Sequence, residues 1–295
     1  MCIIIAGDPQ PESTKLINVP VQIQNHPYNL SIYINNLNLD DSTDLNEFDY
    51  DSGNKNGAIM VVPYPLNKLK GKPEIGLVDM STKKMKKFRE DVYDLFPKPQ
   101  ASFMSNSMRS FHSDNDCLTP LKVHEVGNYN ISIAYSINDL LCRIDWNKFK
   151  QPHNFESRMS TLKNNELYRQ DYDWFYIVAS AKESVKDDGF GVLYPRLLDK
   201  IVYFPTAHEQ DSVKGRDIVD FDVKCFSFMS RHTQAPLIHC DKDTQKLTTL
   251  LKNIDKSVGT FDSGIRAYVY IDNSNIDRLS MIYEGRRDVN HNLYM

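Results

Sequence analysis

Cysteine stands directly behind the initiator methionine, and the apolar run Ile3-Ile4-Ile5 leads from it to Ala6-Gly7. Removal of Met1 would leave Cys2 as the first residue, its thiol and a free α-amine on one atom framework. That is the layout of an N-terminal nucleophile, in which the amine acts as general base for the adjacent thiol. An α-amine titrates at about 8, so a useful fraction is unprotonated near neutral pH. The chemistry implied is attack on a small amide or peptide-like bond. It needs donors for the oxyanion and a group that orients the base. Asn18 and Asn35 are the candidate amide donors, with Asn36 beside them, Lys15 as a charge and Asp8 as an orienter. His208 closes the segment Tyr203-Phe204-Pro205-Thr206-Ala207-His208 and is the candidate accessory, projecting from a turn after a strand end. The plainer account of the same residues is a buried first strand that contains a cysteine, and a turn histidine that binds nothing. Spacing alone does not choose between them.

Other clusters carry less. His232, His239 and Cys240 fit no zinc spacing, and a metal site built on His208, Asp211 and Asp222 would need further ligands. No metal and no cofactor are expected. The five cysteines, Cys2, Cys117, Cys142, Cys225 and Cys240, are odd in number and contain no CxxC pair. They read as reduced thiols in a cytosol-like, cytoplasmic setting. Arg143 lies between Asp139 and Asp145, where a structural ion pair accounts for it.

The elements that must hold these residues are mostly strands. Residues 2–6, 15–24, 28–34, 58–62, 74–79, 174–180, 189–194, 200–204, 220–229 and 265–271 carry β-prone runs. Residues 28–34 alternate and predict a half-buried strand. Pro20 places its strand at an edge or a bulge, and Pro63-Tyr64-Pro65 ends the strand before it. Val126-Gly127-Asn128-Tyr129 is a hairpin turn. Ser81-Thr82 caps a helix whose apolar positions are Met85, Phe88, Val92 and Leu95, and Pro97 stops it. Lys83, Lys84, Lys86 and Lys87 on that helix form a solvated face. Ser136 opens a short helix, residues 155–169 predict another, and Leu247, Leu250, Leu251 and Ile254 mark one over 241–254. Residues 35–57 and 100–118 are polar loops, the second a lid candidate.

Clustered strands with few helices predict an α+β fold. The expected form is a layered sandwich of mainly antiparallel sheets with peripheral helices, in an αββα order. Residues 1–272 read as one domain and 273–295 as a C-terminal helix and tail.

At 295 residues, 41% hydrophobic and 25% charged, the chain can bury a sizeable core. A formal net charge of −4 argues against a nucleic-acid partner. No apolar run reaches the ~20 residues of a membrane helix, and the start lacks the basic n-region of a signal peptide. The leaning toward Asn, Lys, Asp, Ile and Tyr is what AT-rich codons favour, as in a giant virus or a protist.

Four blocks occur in a telling order: Met1-Cys2; Ala58-Ile59-Met60-Val61-Val62-Pro63; Val126-Gly127-Asn128-Tyr129 followed by 136–145; and Phe204-Pro205-Thr206-Ala207-His208. The chain resembles an uncharacterised family of bacterial and viral proteins that start Met-Cys. Its members carry an alanine-methionine-leucine-proline strand, a V-G-S-Y-like hairpin with a D-x-x-R-L-D-like helix, and an F-F-P-T-x-H-x-H-D-G stretch. Gln210 stands where that pattern has its second histidine, and Ser212 where glycine follows Asp211. The resemblance implies that the Met-Cys start is part of a pattern. Two functions are open: a cysteine amidohydrolase acting on a small amide-like substrate, or a non-enzymatic virion-associated or protein-binding protein of a large DNA virus.

Overall fold

The computed structural model describes residues 2–5, 11–37, 59–67, 74–96, 119–149, 151, 155, 159, 172–197, 203–205, 208–209, 221–230, 239–287 and 293–294. Of the expected loop at 35–57, residues 35–37 instead continue a strand; the rest of it, the loop at 100–118 and most of the helix at 155–169 lie outside the described residues. In the N-terminal half the strands are β1 (Cys2–Ile5), β2 (Pro11–Ile23), β3 (His26–Leu37), β4 (Ile59–Asn67), β5 (Gly76–Asp79), β6 (Val123–Val126) and β7 (Tyr129–Ala134). Then come β8 (Tyr172–Ala181), β9 (Val185–Pro195), β10 (Tyr203–Phe204), β11 (His208–Glu209), β12 (Phe221–Met229) and β13 (His239–Asp241). The last are β14 (Val258–Phe261), β15 (Arg266–Tyr268), β16 (Tyr270–Ile271), β17 (Arg278–Arg287) and β18 (Leu293–Tyr294). Three helices have described bounds: α1 (Lys83–Asp94), α2 (Ile137–Cys142) and α3 (Thr244–Leu251).

Two sheets stack face to face. One has six strands in the order β11-β1-β4-β8-β7-β6; the other has ten, running β13-β17-β12-β2-β3-β9-β5-β14-β15, with β16 paired to β2. Alternation along each strand makes this possible. On β4, Met60, Val62 and Tyr64 face the ten-stranded sheet, while Ile59 and Val61 join Leu140, Phe155 and Met159 on the far side. On β8, Phe175 and Ile177 face inward and Tyr176 and Val178 outward. Leu16, Tyr33, Phe190 and Val192 supply the other half of the central core. The outer face of the ten-stranded sheet, with Ile17, Ile32 and Leu193, is covered by Phe88 and Val92 of α1 and Leu247 and Leu250 of α3.

The first two helices start where their expected caps stand, and the third starts at Thr244 behind Asp243, inside the expected 241–254. Thr82 Oγ1 accepts from Met85 N at 3.3 Å, Ser136 Oγ from Asp139 N at 3.0 Å, and Asp243 from Gln245 N and Lys246 N. Lys83, Lys84, Lys86 and Lys87 are exposed, as expected of a solvated face. Arg143 pairs with Asp139 at 2.9 Å.

Several expectations are corrected. The fold is mainly β rather than balanced α+β, although helices do lie outside both sheets. β3 is buried on both faces, not half-buried, because α1 and α3 cover its second side. β4 runs through Pro63 and Pro65, paired to Tyr176 and Trp174 of β8. Its other neighbour, β1, stops pairing at Val61, so the prolines meet an unpaired side where no N–H is needed. Pro20 lies in a central strand but in a gap: β12 pairs β2 up to Asn18, and β16 pairs it from Val21. Among the described residues, 273–287 do not form the expected helix. A single 3-10 turn (Asn273–Asn275) leads into β17, which pairs with β12 inside the ten-stranded sheet.

One glycine is fixed by close approach. Gly189 pairs with Ile34, and a Cβ there would lie 1.9 Å from the Tyr33 carbonyl oxygen. Backbone cannot yield that distance without parting β3 from β9. Gly189→Ala is expected to cost about 3 kcal/mol or more, the upper end of overpacking. Urea unfolding checks it; an unchanged midpoint contradicts the tight approach.

Candidate functional site

The structure brings two of the four sequence-derived residues together. β1 and β11 run parallel at the margin of the six-stranded sheet, with Cys2 paired to His208 and Ile3 to Glu209. His208 is therefore in a short strand and not in a projecting turn. The side chains of both residues lie outside the described part of the chain.

Asn35 and Asn18 are placed elsewhere, in the layer between the sheets. Asn35 Oδ1 accepts from Thr14 Oγ1 at 3.0 Å, and its Nδ2 donates to Met60 Sδ at 3.0 Å. Met60 in turn pairs with Ile4 of β1. Asn18 is 1% exposed and pairs in register with Ser31, whereas Asn35 pairs with Thr14. The two rows are four residues apart, about 13 Å along the strand, so the two amides do not converge on one oxyanion. Asn36 and Lys15 are committed to the β9 end: Asn36 Oδ1 accepts from Asp187 N at 2.6 Å, and Lys15 pairs with Asp187 and sits 4.2 Å over the Tyr93 ring. Asp8 and Asp211 lie outside the described residues. Among the described residues no group of three or more His, Cys, Asp or Glu is arranged to hold a metal ion.

The feature that sequence reading missed is an exposed sheet edge. Val258, Ile265, Tyr268 and Tyr270 are 43%, 52%, 57% and 45% exposed. Tyr268 and Val258 face each other across the β14–β15 hairpin. β15 is the outermost strand of the ten-stranded sheet, with no partner on its far side among the described residues. Arg266 in β15, Lys256 beside Val269 and Lys252 at the end of α3 lie exposed, and none makes an ion pair among the described residues. The alternation Arg266-Ala267-Tyr268-Val269-Tyr270 reads as a strand, yet nothing local tells that the tyrosines, and not Val269, face water.

Both ends of this edge segment are pinned by carboxylates. At the first, Asp262 Oδ1 meets His124 Nε2 of β6 at 3.1 Å, and the Asp262 carbonyl accepts from Lys122 Nζ at 3.2 Å. The Tyr135 hydroxyl also hydrogen-bonds Asp262; burial, then the Asp262 charge, pushes that hydroxyl upward from its ordinary range. At the other end, Asp272 accepts from Arg196 Nη2 at 2.8 Å, Ser274 Oγ at 2.6 Å and Asn275 Nδ2 at 2.9 Å. Burial raises the Asp272 carboxyl, but the hydrogen bonds from Ser274, Asn275 and Arg196 outweigh it and hold the group below its usual range. A separate buried pair, Arg89 with Asp188 at 3.3 Å, ties α1 to β9, and Asn128 Nδ2 donates to the same carboxylate at 2.6 Å.

No protein-family model matches the sequence, and no curated protein matches it. Among solved structures, baculovirus P35 overlaps with a TM-score of 0.40 at 10% identity, covering 97% of this chain and 96% of that one. A mutated baculovirus P35 after caspase cleavage gives 0.41 at 11% identity, with 96% and 98% covered. P35 in its complex with caspase-8 gives 0.42 at 11%, with 96% and 95% covered. No helix among the described residues is long and apolar enough to cross a membrane.

The Asp272 cluster sets an acid dependence. A carboxyl whose folded pKa is depressed adds stability above its unfolded value of about 3.9 and loses it as pH falls through the folded value. Asp272→Asn strands the buried Arg196 and is expected to cost about 3–5 kcal/mol at pH 7. The gap from the parent chain should narrow toward pH 3, as the advantage of the paired carboxylate over the unfolded chain is lost. Urea midpoints at both pH values check this; equal gaps contradict it.

Proposed function

We propose that this chain is a non-enzymatic protein-binding protein of a large DNA virus, and that it takes an extended segment of its partner along β15. The observation that carries the reading is the pinned, exposed edge. A free strand edge offers a row of backbone donors and acceptors, which chains normally cover or charge. Here it comes with four exposed large apolar residues, the mark of an interaction surface. Fixing the segment at Asp262 and Asp272 lowers the ordering cost of binding. Strand addition supplies backbone affinity, and alternate side chains supply selection. Arg266, Lys252 and Lys256 favour acidic side chains on the incoming segment. The source rests on the AT-rich residue usage.

Photocrosslinking from a benzophenone residue at position 268, in an extract of the host cell, tests the edge. The expected outcome is one discrete adduct whose yield falls with added salt and drops about tenfold in an Arg266→Glu background, the scale of one contact worth ~1.4 kcal/mol. Adducts spread over many proteins, or a yield indifferent to charge, would contradict it.

One observation favours the cysteine amidohydrolase as a second reading: the register pairing of Cys2 with His208. A nucleophile and a base drawn together from distant parts of the chain suit attack on a small amide. The reading expects Met1 to be removed and Cys2 to be alkylated by limiting iodoacetamide before the other thiols. Intact mass and peptide mapping check both. Retained Met1, or labelling only after denaturation, ends it.

A further inference from the structure

The inner face of the ten-stranded sheet carries two polar register rows; the Thr14–Asn35–Asp188 row is hydrogen-bonded, and the other is largely not. Ser31 of β3 pairs with Asn18 of β2, Asn18 with Ser227 of β12, and Ser227 with Ser280 of β17. Directly paired residues share a face of the sheet. Their chain neighbours Ile17, Val19, Ile32, Phe226, Phe228, Leu279 and Met281 all belong to the outer core under α1 and α3. The four polar residues therefore face the six-stranded sheet, and Ser31 reaches it, its hydroxyl 3.2 Å from Tyr64 Oη. All four are 0–1% exposed. At a strand spacing of ~4.8 Å the row is about 14 Å long.

Most of its hydrogen-bonding capacity is unspent. Asn18 Oδ1 and Nδ2 and Ser280 Oγ have no partner. Ser227 Oγ makes only a 3.3 Å contact with the Phe228 carbonyl. More than nine in ten buried polar groups in folded proteins are satisfied. An amide with two donors and an acceptor, flanked by hydroxyls one strand away on either side, matches what a buried water requires: two to four polar partners within reach. Among the described residues no protein group partners these atoms.

We infer that the row Ser31-Asn18-Ser227-Ser280 is an internal hydration site, a line of ordered water bound between the two sheets and anchored on the Asn18 amide. This account is independent of the edge at β15 and of any role for Cys2. It also gives Asn18 a use, since its amide is too far from Asn35 to share an oxyanion.

The test is water-to-protein cross-relaxation on the full chain, labelled with 15N. Cross-peaks of the sign of bound water are expected at the Asn18 side-chain amide protons, and Asn18→Leu should remove them. Their absence from the parent chain overturns the inference. Thermal unfolding of Ser280→Ala, which removes only a hydroxyl, keeps the question open to decision if Asn18→Leu does not fold. A hydrated hydroxyl predicts a lower Tm on its removal. A raised Tm means the hydroxyl was buried dry, and overturns the site.

Discussion

The face-to-face contact of the two sheets is the constraint on which everything else rests. Neither sheet can stand alone. β3 and β8 present large side chains on both faces, and each inner Leu, Ile, Val or Phe contributes roughly 1.5–3 kcal/mol only when the opposing sheet excludes water from it. Tyr64 shows how closely the layers depend on one another. Its ring centroid lies 5.4 Å from that of Phe175 within its own sheet and 5.3 Å from that of Tyr194 in the other. Gly189 serves the same contact from the backbone, letting β9 close on β3 so that Tyr33 and Phe190 can stack at 5.7 Å.

Unequal width is the consequence that matters for function. Six strands cannot cover ten. At the β5-β14-β15 end of the larger sheet, Ile75 and Leu77 pack on the β6–β7 side of the smaller one, and polar contacts fix the chain beyond them. His124, Lys122 and Tyr135 reach from the β6–β7 region to Asp262. Arg196, at the end of β9, reaches Asp272. Such contacts contribute less than an apolar layer would, but they fix geometry. The exposed Tyr268 and Tyr270 lie between these two anchored ends.

The same packing explains why polar residues within the core have such different fates. Asn35 finds Thr14 beside it and the Met60 sulfur across the layer. Asp188 collects Arg89, Asn128 and a backbone N–H from Gly189. Asn18, between Ser31 and Ser227 in its register row, has no protein partner among the described residues.

Local physics made part of this molecule legible from sequence. Thr82 and Ser136 open helices through contacts within three residues, so α1 and α2 could be read where they start, and the spacing of Leu247, Leu250 and Leu251 marked α3. The β6–β7 hairpin needed only Gly127 and its neighbour, and the central strand over 174–180 needed only its own side chains. Where a strand lies in its sheet is not local. Pro63 and Pro65 look like terminators until β1 is seen to stop at Val61, and residues 278–287 look like a tail until β12 supplies an edge for them. Burial is likewise decided by what arrives from elsewhere: α1 and α3 turned β3 from half-buried to fully buried, and no described element covers the Tyr268 side chain. Sequence singled out Cys2, His208, Asn18 and Asn35 by residue type. Only register, set by long-range pairing between strands far apart in the chain, could decide that Cys2 and His208 meet while the two asparagines lie in separate rows.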